Sequence, residues 1–142
     1  MTIHQLSIFI ENKAGTLVEL LRKLKEANIS LIAISISDTM DYGICRIVCS
    51  EPMKAYGYLK DAGVAVSLRE VIAVELDDEP GRAADAIGIL SDEGLSIAYM
   101  YSFRLTGKGV IVFRTDDNAK AIEALQRGGL NMIREEELSK LV

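Results

Sequence analysis

The chain has 142 residues, 49% of them hydrophobic and 26% charged, a composition that folds in water, excludes a disordered protein, and suits one ordinary domain or two small ones. Its longest apolar runs, such as Val71–Val74, hold only four residues or so, against the roughly 20 needed to span a membrane. The N-terminus carries no secretory pattern, so the chain is expected to be cytoplasmic and to have no membrane partner. Sixteen basic residues against 21 acidic ones leave −5, split as 8 against 7 through Arg69 and 8 against 14 beyond it; without a basic run, nucleic acid is excluded as a partner.

Ile3–Ile10 reads as an apolar strand, followed by the polar turn Glu11-Asn12-Lys13-Ala14-Gly15. Leu17, Leu20, Leu21 and Leu24 then fall on one helical stripe, with Glu19, Arg22, Lys23 and Glu26 facing water and Asn28 placed to stop the helix. Ile29–Ser37 alternates, Ile32, Ile34 and Ile36 on one face and Ser35 and Ser37 on the other, as a half-buried strand does. Asp38–Gly43 is a turn and Ile44–Ser50 a third strand. Pro52 suits the first turn of a helix running to about Ala62, which Gly63 ends, and Val64–Leu68 is a fourth strand. Cys45 and Cys49 are four apart on one strand, hence roughly 13 Å between Cα atoms. A disulfide needs less than about 7 Å, so they are expected to be buried, reduced thiols.

From Val71 to Glu135 the order repeats. At an offset of 66 residues the two halves align without a gap: Gly15 meets Gly81, Leu24 meets Leu90, Ser30 meets Ser96, Gly43 meets Gly109, Leu59 meets Leu125 and Gly63 meets Gly129. Each half reads βαββαβ. The predicted fold is α+β, two tandem ferredoxin-like sandwiches with antiparallel sheets and helices on one face, spanning residues 1–69 and 70–142 with only Arg69-Glu70 between the last strand of one and the first of the next. Copies of this size have marginal cores, which favours packing on each other or on a second chain.

Residues able to carry catalysis are few. His4 is the one histidine, and two cysteines with it do not make a zinc site, so no metal or cofactor is implied. Gly107-Lys108-Gly109 lies between two strands and reads as a hairpin turn, and Asp77-Asp78-Glu79 and Glu135-Glu136-Glu137 read as solvated acidic stretches. The chain is not expected to be an enzyme. The strand-to-helix turns differ in kind, because Ala14-Gly15 and Pro80-Gly81 each end at a helix start, where free backbone N–H groups suit a carboxylate. A side-chain oxygen just before, on Asn12 or Asp78, suits an ammonium group; together they would recognise an α-amino acid, although both residues are equally fit to cap their helices.

The segments Asn12-Lys13-Ala14-Gly15-Thr16-Leu17 and Asp78-Glu79-Pro80-Gly81-Arg82-Ala83, each followed by a helix and then by Asn28-Ile29-Ser30-Leu31 or Gly94-Leu95-Ser96-Ile97, resemble the ACT domain. The whole chain looks like two in tandem. The resemblance implies a non-catalytic regulatory module that binds an amino acid at domain or subunit interfaces, forms a homodimer, and acts on a separate enzyme of amino-acid metabolism. It places Asn12, Ala14, Gly15 and Thr16 with Ser30 and Leu31 at one site, and Asp78, Pro80 and Gly81 with Ser96 and Ile97 at the other. Ala14 stands where the family favours proline, and Arg82-Ala83 where it favours bulky apolar residues, so the second copy's first helix, with Ala83, Ala84 and Ala86, is expected to pack more shallowly and the two sites to be unequal. Tyr99, Tyr101 and Phe103 alternate on one strand face and suit either a pocket wall or an interface. The competing readings are a structural dimeriser without ligand, an acylphosphatase-like hydrolase, for whose phosphate the first loop offers only Lys13, and an RNA-binding module, whose middle strands would need more aromatics than Phe113.

Overall fold

The computed structural model describes residues 1–11, 13–38, 42–105 and 107–140. The chain runs β1 (Ile3–Glu11), α1 (Thr16–Glu26), β2 (Leu31–Asp38), β3 (Tyr42–Cys49), α2 (Pro52–Asp61), β4 (Val66–Leu76), α3 (Arg82–Asp92), β5 (Ile97–Leu105), β6 (Lys108–Thr115), α4 (Asn118–Arg127), β7 (Asn131–Met132) and α5 (Glu135–Ser139). Two compact units result, one built on His4–Arg69 and the other on Glu70–Glu137; Met1–Ile3 count with the second unit and the chain from Leu138 with the first.

In the first unit the strand order is β2-β3-β1-β4 and in the second β5-β6-β4-β7, so each repeats the same antiparallel arrangement. The 66-residue offset survives folding, since α1 and α3, and likewise α2 and α4, have equivalent bounds. Alternation puts every second strand residue toward the helices. In the first unit Leu6, Ile8, Cys45 and Ile47 meet Leu20 and Leu24 of α1 and Ala55 and Leu59 of α2. In the second, Ile72, Val74, Ile111 and Phe113 meet Ala86 and Leu90 of α3 and Ala121 and Leu125 of α4. Cys45 and Cys49 are buried and form no disulfide, as their spacing required, and burial pushes the Cys45 thiol up to about 11.

Both first helices end in the same way. Asn28 sits at φ 59° and Gly94 at φ 70°, left-handed conformations that let the next amide, Ile29 or Leu95, return to the carbonyl of Leu24 or Leu90.

Four expectations change. Val66–Leu76 is one unbroken strand rather than two flanking Arg69-Glu70, because those residues are polar but include no turn former. Ile34 and Ile36 face the helix side, opposite Ile47 and Cys45, yet are 42% and 48% exposed, because β2 is the outermost strand of its unit. The last strand of the second copy shrinks to Asn131–Met132. Beyond it Glu135, Glu136 and Glu137 form the first turn of α5, where negative charge complements the helix dipole, rather than an irregular solvated end. Residues 39–41 of the predicted Asp38–Gly43 turn lie outside the described residues.

Candidate functional site

Each strand-to-helix loop is set by one glycine. Gly15 at φ 92° and Gly81 at φ 88° precede α1 and α3, and among the described residues neither helix start receives a side-chain cap there. A left-handed residue at this point turns the chain sharply into the helix, and glycine alone adopts it without steric cost. The first N–H groups of each helix have no intrahelical acceptor and are left to loop atoms, water or ligand.

The two loops are then held differently. In the first, the Thr16 hydroxyl reaches the carbonyls of Glu11 and Lys13 at 2.8 and 2.9 Å, and Lys13 pairs with Glu11 at 2.7 Å. The hydrogen bond and charge of Lys13 lower the Glu11 pKa, and those of Glu11 raise the Lys13 pKa in return. Thr16 and Lys13 are thus spent on closing their own loop. Ala14 and Gly15 are exposed, and Asn12 lies outside the described residues.

In the second, Asp78 is gripped by the fork of Arg104 at the end of β5, Nη2 to Oδ1 at 2.7 Å and Nη1 to Oδ2 at 3.5 Å. Arg82 donates to Glu79 at 2.8 Å and to Asp85 at 3.3 Å; the charge of Glu79 foremost raises its pKa further. Lys108 pairs with Glu75 beside them. Asp78, Arg82 and Arg104 border a cavity of about 450 Å³, whose wall also includes Gly81, Ala83, Ser102 and Phe103, and to which Leu76 and Ile111 add an apolar floor.

Of the residues singled out from sequence, Asp78 and Gly81 meet at this cavity, while Pro80 is exposed on the same loop. Ser96 and Ile97 do not join them. Leu76 pairs with Gly109 and Leu105 with Lys108, whereas Ile97 pairs with Thr115 at the other end of β6. The start of β5 therefore lies one strand length, roughly 27 Å, from the loop of its own unit. Ser30 and Leu31 are equally remote from the first loop, since Leu31 pairs with Cys49 while Glu11 pairs with Tyr42. Both serines bond locally: the Ser30 amide donates to Ser50 Oγ and the Ser96 amide to Asp116 Oδ1, each at 3.1 Å.

Arg104 escaped sequence reasoning. The available signal was its repeat partner: position 38 is Asp where position 104 is Arg, just as position 12 is Asn where position 78 is Asp. Phe103 joins the cavity wall, but Tyr99 and Tyr101 do not; on that strand face Tyr99 pairs with Arg114, whose guanidinium lies 5.8 Å from its ring centre. Among the described residues no cluster of metal-ligating side chains occurs, and no helix is long and apolar enough to cross a membrane.

A duplicated βαββαβ unit, with its helices on one sheet face and a glycine-started helix after each first strand, defines a tandem ferredoxin-like module. The family model of an ACT domain pair matches residues 1–142, and the chain belongs to that family. A crystal structure of a protein from Bacteroides thetaiotaomicron is 40% identical, with a TM-score of 0.93 over 99% of this chain and 98% of that one. The regulatory subunit of aspartate kinase from Thermus thermophilus, in its ligand-free form, is 14% identical with a TM-score of 0.65, covering 87% of this chain and 91% of that one. The corresponding subunit from Thermus flavus is 17% identical with a TM-score of 0.62, covering 89% and 90%. At those identities the two kinase subunits share the fold. No curated protein matches the chain.

Proposed function

We propose that this ACT domain pair is a non-catalytic amino-acid sensor, residues 1–69 and 70–142 each forming one domain, that acts as a homodimer on a separate enzyme of amino-acid metabolism. The observation that carries this reading is the twofold occurrence of a glycine-set helix start, Gly15 and Gly81, with an acidic or amide residue three positions before it. Such a start attracts a carboxylate through partial positive charge and free donors. A ligand that also touched Ser30 and Leu31, or Ser96 and Ile97, would have to take them from a second ACT unit, because they lie at the far end of their own sheet. A ligand shared between units favours the arrangement that holds it, and that difference in affinity is what regulation requires. The hydrolase reading is weakened by Lys13 and Arg82, whose charges are already committed to Glu11 and to Glu79 and Asp85.

The test is thermal unfolding followed by circular dichroism, since the chain has no tryptophan, against each common L-amino acid at millimolar concentration. A ligand at about 100 times its dissociation constant adds about 2.7 kcal/mol and raises the midpoint by several degrees. The rise should vanish in Gly15→Asp or Gly81→Asp, whichever loop holds the ligand. No rise with any amino acid would favour the structural dimeriser, a reading supported by the exposed Leu31, Ile34 and Ile36 on the outermost strand of the first unit. Sedimentation of the full chain tests the dimer in either case.

A further inference from the structure

Building on the amino-acid-binding reading, we propose that the cavity of the second unit is the working site, with Asp78 receiving the ligand's ammonium group, Arg104 joining the helix-start amides after Gly81 in receiving its carboxylate, and Ala83 and Ser102 providing the room. The repeat supplies the comparison from within the molecule. Where the second unit has Ala83 and Ser102, the first has Leu17 and Ile36, and Leu17 packs against its own core. Leucine to alanine and isoleucine to serine remove several heavy atoms from adjoining positions. The opening of about 450 Å³ lies there, between the start of α3 and the end of β5.

Its charges match a zwitterion. Arg104 and Asp78 stand as a forked pair at its wall, and their side chains are 69% and 61% exposed, so their mutual attraction is weak and easily opened. An α-amino acid inserted between them satisfies both: the planar guanidinium accommodates a carboxylate bidentately, and the aspartate takes the ammonium group. The wall holds one donor still unused, Arg82 Nε, which is buried and has no acceptor among the described residues. Leu76 and Ile111 beneath are buried and apolar, a floor suited to an aliphatic side chain. The first unit has the opposite endowment, with Asp38 in place of Arg104, so a ligand carboxylate there would meet like charge. The second unit therefore reads the ligand's charged end, and any partner unit closes over it.

The experiment is titration calorimetry of the full chain with each common L-amino acid, followed by Arg104→Met and by the double variant Ala83→Leu with Ser102→Ile, which installs the first unit's own side chains. For a binder such as L-leucine, isopentylamine and 4-methylpentanoate are the companion probes lacking the carboxylate and the ammonium group. Arg104→Met should weaken the amino acid at least about tenfold and leave the amine unaffected. The double variant should bind nothing while keeping its circular dichroism, and if it does not fold, exposed Arg104 carries the test alone. Undiminished binding in either folded variant overturns the assignment but leaves the sensor standing. Failure of every amino acid to bind the unaltered chain overturns both.

Discussion

The loop after β1 and the loop after β4 share a backbone turn and differ in the side-chain contacts of their described residues. Gly15 and Gly81 adopt nearly the same left-handed angle, and α1 and α3 start at equivalent residues. Yet the first loop is closed on itself by Thr16 and Lys13, whereas the second reaches across to β5 through Asp78 and Arg104 and borders an open cavity. Duplication preserved what the backbone needs, a residue without a Cβ at one point, and left side-chain volume and charge free to diverge. Equivalent geometry is thus no guarantee of equivalent chemistry.

The comparison is most severely tested in the cores. Leu24→Ala and Leu90→Ala remove the same buried side chain from equivalent helices, and each should cost about 2–5 kcal/mol by urea unfolding. A loss under about 1 kcal/mol at Leu90 alone would show that the alanine-rich α3 is a looser element than the repeat implies.

Cys45 and its repeat partner Ile111 separate the units by pH. The buried thiol is raised from 9.0 to about 11 while the unfolded chain keeps the ordinary value, so its neutral form stabilises the fold fully below about pH 9, and that contribution is lost as pH rises through about 11. The loss is on the order of 2 kcal/mol and should be smaller in Cys45→Val, with urea midpoints across that window as the measure. An equal fall in both proteins would mean that other groups govern the alkaline limb.

Gly15→Ala and Gly81→Ala sharpen the comparison at the backbone. No atom lies within 4 Å of a Cβ added at either position, so the cost is conformational alone, about 1–2 kcal/mol and the same in both loops by scanning calorimetry. A larger cost at one loop would mean that its backbone carries a constraint the other lacks. The smallest effect is expected for Asp78→Asn. The pair it breaks is exposed, so the unfolding midpoint should not move measurably while amino-acid binding weakens, and a clear drop in midpoint would recast the pair as structural.

Much of this was readable in advance because the controlling interactions are local. The leucine stripe of α1, the stop at Asn28 and the two glycine turns each follow from a few neighbouring residues, and the 66-residue offset then carries both helices of the first copy onto the second with equivalent bounds. The exposure of Ile34 and Ile36 was not readable, since alternation assigns a face but not whether the helices extend over the outermost strand. Nor was it readable that Ser96 and Ile97 lie at the opposite end of their own sheet from the loop that carries Gly81.

By itself, then, the sequence determined the repeat, the βαββαβ order, the helix starts and the buried thiols, all set by periodicity and by residues with restricted backbone choices. Only the tertiary structure decided that Arg104 pairs with Asp78 and that both line one cavity with Ala83 and Ser102. Those residues are distant along the chain, and strand register alone brings them to one end of one sheet.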